Sequence, residues 1–374
     1  MYIMPKRLKV VELYAGTARS SAPFRRWRRA EISLLVDNNE VAVNTYKANF
    51  PRAPYRKASL SRMTPNRLSA LAGGRIDILL GCPPCQGFSD TGTRDPNDAR
   101  NSHMDRFSWI ASTLKPLAVA MENVPLAADG PQFRRLVSRM EQAGYVWTAG
   151  VLNSALHGST QTRQRLVYIA IRADVGAEPF LDYPTHGGAG LYYSYSSGRL
   201  EAVATNPLAM LGQSPGTARL RSQLSVEGDH VGPHAIPTVS GALAGLPRIG
   251  TRNARVLNHF PWAHTPNMLR RMSRVPEGGR WRGGNDHFSQ SYGRLHRRGL
   301  ARTITTFFPN AGSGRFWHPV HNRSLTLREA ARIQGFPDSF HFLPPFSEAA
   351  TLVGNALDAS LAEVTYTCLK SCLD

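Results

Sequence analysis

Residues 76–89 read IDILLGCPPCQGFS, a short apolar run followed by two cysteines that flank two prolines. The run has the length and continuous hydrophobicity of a strand buried on both faces, which is typical of parallel sheets. Helical patterns such as Val41–Phe50 and Pro131–Ala143 separate it from similar runs. Four such runs lie in the first 172 residues: KVVELYAG, ISLLVDN, PLAVAMENV and RLVYIAIR. This alternation predicts an α/β fold with a mostly parallel sheet.

The length of the chain, 374 residues, exceeds what one hydrophobic core usually holds, so we expect two domains. From about residue 173 the apolar periodicity fades, and regular patterns return after about residue 325. We therefore predict a first domain over residues 1–172, completed by about 326–374, and a smaller loop-rich domain with a hinge over 173–325. The alternative for this middle segment is a loop insertion with no function of its own.

The charge balance is strongly basic, with 45 Lys and Arg against 26 Asp and Glu and a formal net charge of +19. Such a balance indicates a polyanionic partner, most often nucleic acid. Arginine, which supplies 39 of the basic residues, forms bidentate contacts with phosphates and guanine edges. Codon bias in a GC-rich genome also enriches arginine, but it does not account for the scarcity of acidic residues.

The sequence has few signs of export, of membrane insertion or of an oxidising compartment. Four cysteines are too sparse for a disulfide scaffold. The N-terminus has no charged region followed by an apolar stretch, and no apolar run is long enough to span a membrane. We therefore expect a soluble protein of a reducing, intracellular compartment.

The CxxC stretch admits three roles: a redox dithiol, half of a zinc site, or a nucleophile beside a second thiol. A redox CxxC usually begins a helix, whereas the residues after Cys85 are rich in turn formers. Zinc would need two more ligands, and the sequence has no second CxxC. A nucleophile fits the loop after a strand, where open α/β sheets place their ligands. It would need nearby positive charge and an acid or base.

Candidate partners for such a thiol lie at the ends of two other predicted strands. Glu122 ends the run PLAVAMENV, and Gln161–Arg165 immediately precedes RLVYIAIR. Strand alternation puts Arg163 and Arg165 on one side. Two guanidiniums beside a carboxylate and a thiol would bind an anion or a carbonyl oxygen. Each residue alone suits a structural role, but their joint occurrence favours a site.

Together these residues resemble the DNA (cytosine-5) methyltransferases, over almost the whole chain outside the middle segment. The matching motifs follow the order of that family: PCQ at Pro84–Gln86, ENV at Glu122–Val124, QxRxR at Gln161–Arg165, RSLTLREAARIQGFP from Arg323, and GNA at Gly354–Ala356. The resemblance implies a Rossmann-like methyltransferase domain that depends on S-adenosylmethionine. It also implies a target-recognition domain in the middle segment.

The resemblance also implies roles for the catalytic candidates Cys85, Glu122, Arg163 and Arg165. Cys85 would add to C6 of a cytosine flipped out of the duplex, which makes C5 able to accept a methyl group. Glu122 would stabilise the adduct at N3, and Arg165 would hold the O2 carbonyl. The polar loop 89–102 would close over the base, and Cys82 would line the cofactor side.

S-adenosylmethionine is the methyl donor that the resemblance implies. Asp37 would bind its ribose hydroxyls, and Ser59 stands where the family tends to have an acid for the adenine amine. The other predicted contacts are Tyr14, Ala15, Gly16, Pro84, Asn355 and Ala356. The turn after the first strand keeps only Gly16 of several family glycines, and the last motif reads GNALDAS, with Asp358 where the family usually continues Val-Pro-Pro. We therefore expect weakened donor binding, and Arg19 in the turn would suit a more anionic donor.

The implied partner is double-stranded DNA, with a cognate restriction endonuclease as a further candidate. We expect a monomer in the cytoplasm, associated with the nucleoid, without a metal and without a membrane. Two alternatives stay open: the same chemistry on tRNA or another RNA, and a catalytically inactive DNA-binding homologue. The large basic middle segment favours DNA over RNA. A thiol oxidoreductase would leave every other motif unexplained.

Overall fold

The computed structural model describes residues 4–84, 102–181, 185–186, 191–195, 200–204, 209–213, 234–250, 256–282 and 291–374. For 191–195, 200–204 and 209–213 it describes the backbone alone.

Within these ranges the chain forms twelve strands. They are β1 Leu8–Leu13, β2 Ala30–Asp37, β3 Tyr55–Lys57, β4 Ile78–Gly81, β5 Ala118–Asn123, β6 Tyr145–Asn153, β7 Gln161–Thr162, β8 Gln164–Arg172, β9 Leu191–Tyr195, β10 Leu200–Ala204, β11 Ala209–Gln213 and β12 Ala301–Arg302. Eight of them form one sheet, in the order β11-β6-β8-β5-β4-β1-β2-β3.

Nine α-helices are described in the same ranges. They are α1 Glu40–Asn49, α2 Pro65–Leu71, α3 Ser102–Leu114, α4 Pro131–Gln142, α5 Val239–Leu243, α6 Pro266–Ser273, α7 Leu327–Ile333, α8 Phe346–Asn355 and α9 Ala359–Leu373. Short 3-10 helices lie at Ala22–Arg26, Leu60–Arg62, Pro125–Asp129, Ser154–His157 and Ala173–Val175. None of the described helices is both long and apolar enough to cross a membrane.

The direction of the strands confirms the predicted α/β class with a mostly parallel sheet. The block β3-β2-β1-β4-β5 is parallel throughout. β8 runs antiparallel to both β5 and β6, and β11 runs antiparallel to β6. Six strands of the main sheet therefore point one way and two the other. The five apolar runs in the sequence correspond to β1, β2, β4, β5 and β8.

Both faces of the sheet are buried, as the continuous apolar runs require. In β1, Val11 and Leu13 face a core that also contains residues of α3 and α4. Leu8 and Val10 face a second core, which α9 covers with residues such as Leu361. The C-terminal helix thus completes the layer that the first 172 residues leave open.

The middle segment contributes to the first domain as well. Its strand β11 pairs with β6 at the edge of the main sheet. Leu295, Ile304 and Phe308 belong to the same core cluster as Leu35 and Tyr46. These contacts join the described parts of residues 173–325 to the first domain, and the division into two domains remains a prediction.

A buried polar network links the end of the chain to β7. The amide of Gln161 donates to Gln334 Oε1 (2.6 Å) and Asp358 Oδ2 (2.7 Å), and its oxygen accepts from the backbone of Ile304 (3.0 Å). Asp358 also accepts from the Ser159 hydroxyl. All four side chains are shielded from water or nearly so, which makes each lost partner costly.

Asp358 also interrupts a run with helical spacing of apolar residues that begins at Gly354 in the sequence. α8 ends at Asn355, and Asp358 is the N-cap of α9, where its side chain accepts from the backbone of Ser360. Leu357 therefore lies between the two helices, although it fits the apolar spacing of α9.

We expect Asp358→Ala to lower the free energy of unfolding by about 3 kcal/mol, because Gln161, Ser159 and Ser360 would each lose an acceptor in a buried site. Urea denaturation of the full chain measures this change. The matched control is Asp338→Ala, since Asp338 is half exposed and pairs with Arg332 at the surface, where such pairs contribute about 1 kcal/mol or less. Equal losses in the two variants would contradict this role of the network.

Candidate active site

One cavity of about 540 Å³ lies at the carboxyl ends of β1, β2, β4 and β5. These strands are parallel, so their ends meet at one edge of the sheet, where open α/β folds bind ligands. All eleven described residues of the predicted site line this cavity: Tyr14, Ala15, Gly16, Asp37, Ser59, Pro84, Glu122, Arg163, Arg165, Asn355 and Ala356. Cys85, the predicted nucleophile, lies outside the described residues, directly after Pro84. The loop 89–102 is likewise described only at Ser102.

The turn after β1 keeps a left-handed backbone although most of its glycines are absent. The φ angles of Tyr14, Gly16 and Ala18 are 55°, 51° and 53°. A left-handed conformation costs a residue with a side chain about 1–2 kcal/mol. Ala18 therefore holds this path of the turn at an energetic cost.

Three side chains, of which Glu12 and Tyr55 are buried and Asp37 is partly buried, hold this turn in place. The backbone N–H of Gly16 donates to Asp37 Oδ2 (2.8 Å), and the Tyr55 hydroxyl donates to the carbonyl of Gly16 (2.7 Å). Glu12, at the end of β1, accepts from the backbone of Ser21 (2.9 Å). Burial raises the pKa of the Glu12 carboxyl to about 7, against which its hydrogen bonds to Ser20 and Ser21 act.

The side of the cavity predicted to hold the donor's adenosine contains Asp37 and Ser59. Both Asp37 oxygens accept from backbone N–H groups, of Gly16 and of Asn39. Each carboxylate oxygen has a second lone pair, so a hydroxyl can still bond there. Ser59 shares a hydrogen bond with Ser61 (2.8 Å), and Leu60 between them supplies an apolar wall.

The cavity wall also contains an ion pair, between Arg165 and Glu122, that is largely shielded from solvent. Arg165 Nε lies 2.7 Å from Glu122 Oε1, with the two side chains 15 % and 13 % exposed. The Nη1 of the same guanidinium donates to the carbonyl of Gln164. The pairing fixes the direction of the Glu122 carboxylate into the cavity, next to the segment that leads to Cys85.

Arg163 differs from Arg165, although the prediction treated the two arginines alike. It is 2 % exposed, and its guanidinium donates to the carbonyls of Ile304 (3.2 Å) and Gly354 (3.0 Å). A Cβ at Gly354 would collide with the main chain of Thr305 and Thr306, so only glycine permits this approach. Arg163 thus joins β8 to the two segments that form the neighbouring wall.

The loop after β4 is held by a residue that sequence reasoning named only as part of a motif. The Asn123 amide is buried and donates to the carbonyl of Pro83 (3.3 Å). On this loop the thiol of Cys82 lies 3.3 Å from the Ser20 hydroxyl. Burial, and then the negative charges of Glu122 and Glu12, raise the pKa of Cys82 well above its usual value. Its thiol therefore stays protonated at neutral pH.

Two buried polar atoms in the turn after β1, which lines the cavity, have no hydrogen-bond partner among the residues that the structure describes. They are Thr17 Oγ1 and Arg19 Nε, both in the turn after β1. Buried polar groups in proteins are almost always paired, so these atoms fit a polar ligand. The cavity volume is also in the range of small-molecule sites. The residues present therefore suit a donor with a charged and a polar end.

Comparison with known proteins agrees with this class of fold and site. The C-5 cytosine-specific DNA methylase family matches residues 8–371. The Type II methylase M.HgiDII of Herpetosiphon aurantiacus is 28% identical over 351 residues, which cover 91% of this chain and 88% of that protein. The Type II methyltransferase M1.HphI of Haemophilus parahaemolyticus is 26% identical over 370 residues, with 95% and 85% covered.

A solved structure of an E. coli prophage protein, described as a DNA modification methyltransferase, has the same fold. Its TM-score is 0.69 at 21% identity, and 98% of this chain and 99% of that chain are covered. The Dnmt2 methyltransferase of S. pombe has a TM-score of 0.61 at 14% identity, with 98% and 99% covered. These structures support the fold alone.

The fold is a mostly parallel α/β sheet with a cavity at the carboxyl ends of its strands. This is the architecture of the Rossmann-like methyltransferase class. Within that class the chain belongs to the C-5 cytosine-specific DNA methylases. The resemblance seen in the motifs is thereby confirmed, as is the expected activity, DNA cytosine-5 methyltransferase. The methyl donor of this family is S-adenosylmethionine.

We expect the buried carboxyl of Glu12 to make stability depend on pH. Its folded pKa of about 7 exceeds the usual 4.5, so its contribution is full below about pH 4.5 and is lost as the pH rises through 7. Between pH 5 and 8, Glu12→Gln should gain about 3 kcal/mol relative to wild type. Paired denaturation curves at both pH values measure the difference. Glu31→Gln, at an exposed ion pair with Arg7, is the control; a Glu12→Gln difference that does not change with pH would refute this expectation.

Proposed function

We propose that the chain methylates C5 of cytosine at a specific site in double-stranded DNA, through a covalent bond between Cys85 and C6 of a flipped-out base. The observation that carries this proposal is the Glu122–Arg165 ion pair, which shares one cavity with the turn after β1 and with Pro84, next to Cys85. A base in a duplex is stacked and enclosed, so this cavity is accessible to it only after extrusion.

The proposed reaction begins with the Cys85 thiolate. Its sulfur forms a bond to C6, and the electron pair of the C5–C6 double bond becomes available at C5. S-adenosylmethionine supplies the methyl group that C5 takes up and is left as the thioether S-adenosylhomocysteine. The proton on C5 is then taken up by water, the C5–C6 double bond re-forms as the sulfur–C6 bond breaks, and the thiolate is restored. Addition and elimination at sulfur thus leave Cys85 unchanged.

Glu122 and Arg165 are proposed to bind the pyrimidine edge. The Glu122 carboxyl would bond the ring at N3, where charge develops when sulfur adds to C6. Arg165 holds that carboxyl with Nε, while its Nη2 has no hydrogen-bond partner among the described residues and would donate to the O2 carbonyl. Donors fixed before the reaction stabilise developing charge without a cost of reorganisation.

Arg163 and Asn123 are proposed as positioning residues, because their hydrogen bonds go to the main chain. Arg163 would keep Gly354 against Thr305 and so hold the segment that carries Asn355 and Ala356. Asn123 would fix the loop that presents Cys85. Small displacements of such groups reduce rates strongly, since reacting atoms must lie within about 3–3.5 Å.

The DNA-binding part of the proposal concerns the middle segment. Residues 173–300 contain 14 Arg and 8 Asp or Glu, a net excess that suits a phosphate backbone. We propose that residues 173–325 supply target recognition and a hinge. The Type II names of the relatives support a role in a restriction-modification system, with a cognate endonuclease as partner. We further propose that the enzyme acts as a monomer at the nucleoid.

Bisulfite sequencing of DNA and RNA from cells that express the chain tests the proposed function. We expect protected cytosines at one DNA motif, and none in matched cells that express Cys85→Ser. Protection in RNA alone would favour the tRNA-methylating alternative. Absence of protection in both, with the protein folded, would favour the inactive homologue.

The two cysteines of the CPPC loop should differ sharply on mutation. Cys85→Ser is expected to lower methyl transfer by at least about 10³-fold, because a serine hydroxyl is a far weaker nucleophile than a thiolate. Cys82→Ser should stay within about tenfold of wild type, a change of about 1.4 kcal/mol in the barrier, since the Cys82 thiol is protonated. Single-turnover assays with labelled donor measure both. Equal losses would restore the dithiol interpretation.

A duplex with 5-fluorocytosine at the target provides a direct test of the adduct. Fluorine at C5 cannot leave as a proton does, so elimination of sulfur is blocked after methyl transfer. Wild type and Cys82→Ser should then form a complex with DNA that survives denaturation, and Cys85→Ser should not. A denaturation-stable complex with Cys85→Ser would show that another residue attacks C6.

A further inference from the structure

We propose that Arg19, in the turn after β1, binds the α-carboxylate of S-adenosylmethionine. This inference rests on the proposed function, because it assumes that the donor occupies the cavity described above.

The three groups on the donor sulfur must point to three different parts of the cavity. The methyl group has to face the base. It therefore has to face Glu122 and the loop that contains Pro84. The adenosine is assigned to the side of Asp37 and Ser59. The part of the wall that remains for the amino-acid chain consists of the turn residues Thr17, Arg19 and Ser20, with Asn355–Leu357 opposite. Arg19 is the cation of that turn, whereas the guanidinium of Arg163 is bound to the carbonyls of Ile304 and Gly354.

The guanidinium of Arg19 is anchored on one side and available on the other. Nη2 donates to the carbonyl of Gly335 (2.8 Å), and the group lies over the ring of Phe336 at 4.5 Å. Nε is buried and has no hydrogen-bond partner among the described residues. No carboxylate of the described chain lies within ion-pair distance of it, although Asp358, Glu363 and Glu12 are near enough to act on its charge. The anchored geometry suits an anion that approaches from the cavity.

This chain has a specific need for such a charge. In many nucleotide-binding sheets a glycine-rich turn opens a helix whose N-terminal N–H groups bind anions. Here the first crossover contains only the five-residue 3-10 helix Ala22–Arg26 between β1 and β2. The N–H of Gly16 is bonded to Asp37, and that of Ser21 to Glu12. Two backbone N–H groups of the turn therefore already donate to carboxylates of the chain and are not available to the donor. The guanidinium of Arg19 can bind the anionic group of the donor instead.

A competing explanation is that Arg19 only ties the turn to Gly335 and Phe336. In that case its loss would disturb the whole cavity, and all ligands would bind more weakly. A carboxylate contact predicts a different result, because only ligands with a carboxylate would be affected. The two explanations can therefore be separated by the choice of ligand.

The test uses isothermal titration calorimetry on the full-length chain with S-adenosylmethionine, decarboxylated S-adenosylmethionine and 5′-methylthioadenosine. In Arg19→Gln we expect the affinity for S-adenosylmethionine to fall by about tenfold to a hundredfold, as for a charge-assisted hydrogen bond. Affinities for the other two ligands should change by less than about threefold. Arg25→Gln is the matched control, since Arg25 lies in the same crossover but stacks on Phe50 outside the cavity.

Each outcome decides between the explanations. Equal weakening of all three ligands in Arg19→Gln, or no weakening, would overturn the carboxylate assignment. Thermal unfolding of the ligand-free variant identifies a general loss of structure, and Arg19→Lys, which keeps a cation, should then recover part of the affinity for S-adenosylmethionine alone. A wild-type chain that binds none of the ligands would contradict the proposed function itself, a result distinct from failure of the Arg19 assignment.

Discussion

The site depends on one buried side-chain amide, that of Gln161. Its hydrogen bonds to Gln334, Asp358 and the backbone of Ile304 join segments that are 143 to 197 residues away in the chain. A buried amide left without partners costs about 1–3 kcal/mol per group, so these segments have one favourable arrangement. That arrangement places Gly354 beside Arg163, and with it the wall of the cavity opposite the turn after β1.

In the turn after β1, the carboxylates of Glu12 and Asp37 stabilise a backbone conformation that glycine would adopt without strain. The turn after β1 follows a left-handed path at Ala18, which an alanine disfavours, and hydrogen bonds from Gly16 to Asp37 and from Ser21 to Glu12 stabilise it. These bonds form at the cost of burying two acids, and the raised pKa of Glu12 is a result of that burial. The conformation of this turn is therefore coupled to the charge of the two carboxyl groups.

Much of the fold and the cavity could be predicted, because continuous apolar runs identify buried strands and parallel strands end at one edge. Glu122 was found for this reason, since it stands at the end of such a run, whereas Asp37 was named through the family resemblance. Local patterns do not reveal hydrogen bonds to distant main-chain groups, so the bonds of Arg163 and Asn123 could not be foreseen. The pairing of β11 with β6 was missed too, because short runs in a Gly-rich segment carry little periodicity.

The position of α9 in the chain affects how the protein is made. Leu8, Val10 and Leu80 of the sheet belong to a core that Leu361 and Leu369 of α9 cover. More than 270 residues separate these strand residues from the helix in the sequence. A ribosome that adds about 5–20 residues per second needs tens of seconds to bridge that interval. Throughout it, one apolar face of the nascent sheet is open to water or to a chaperone. This layer of the sheet can therefore close only after residues 359–373 have been made, and products truncated before that helix should be prone to aggregation.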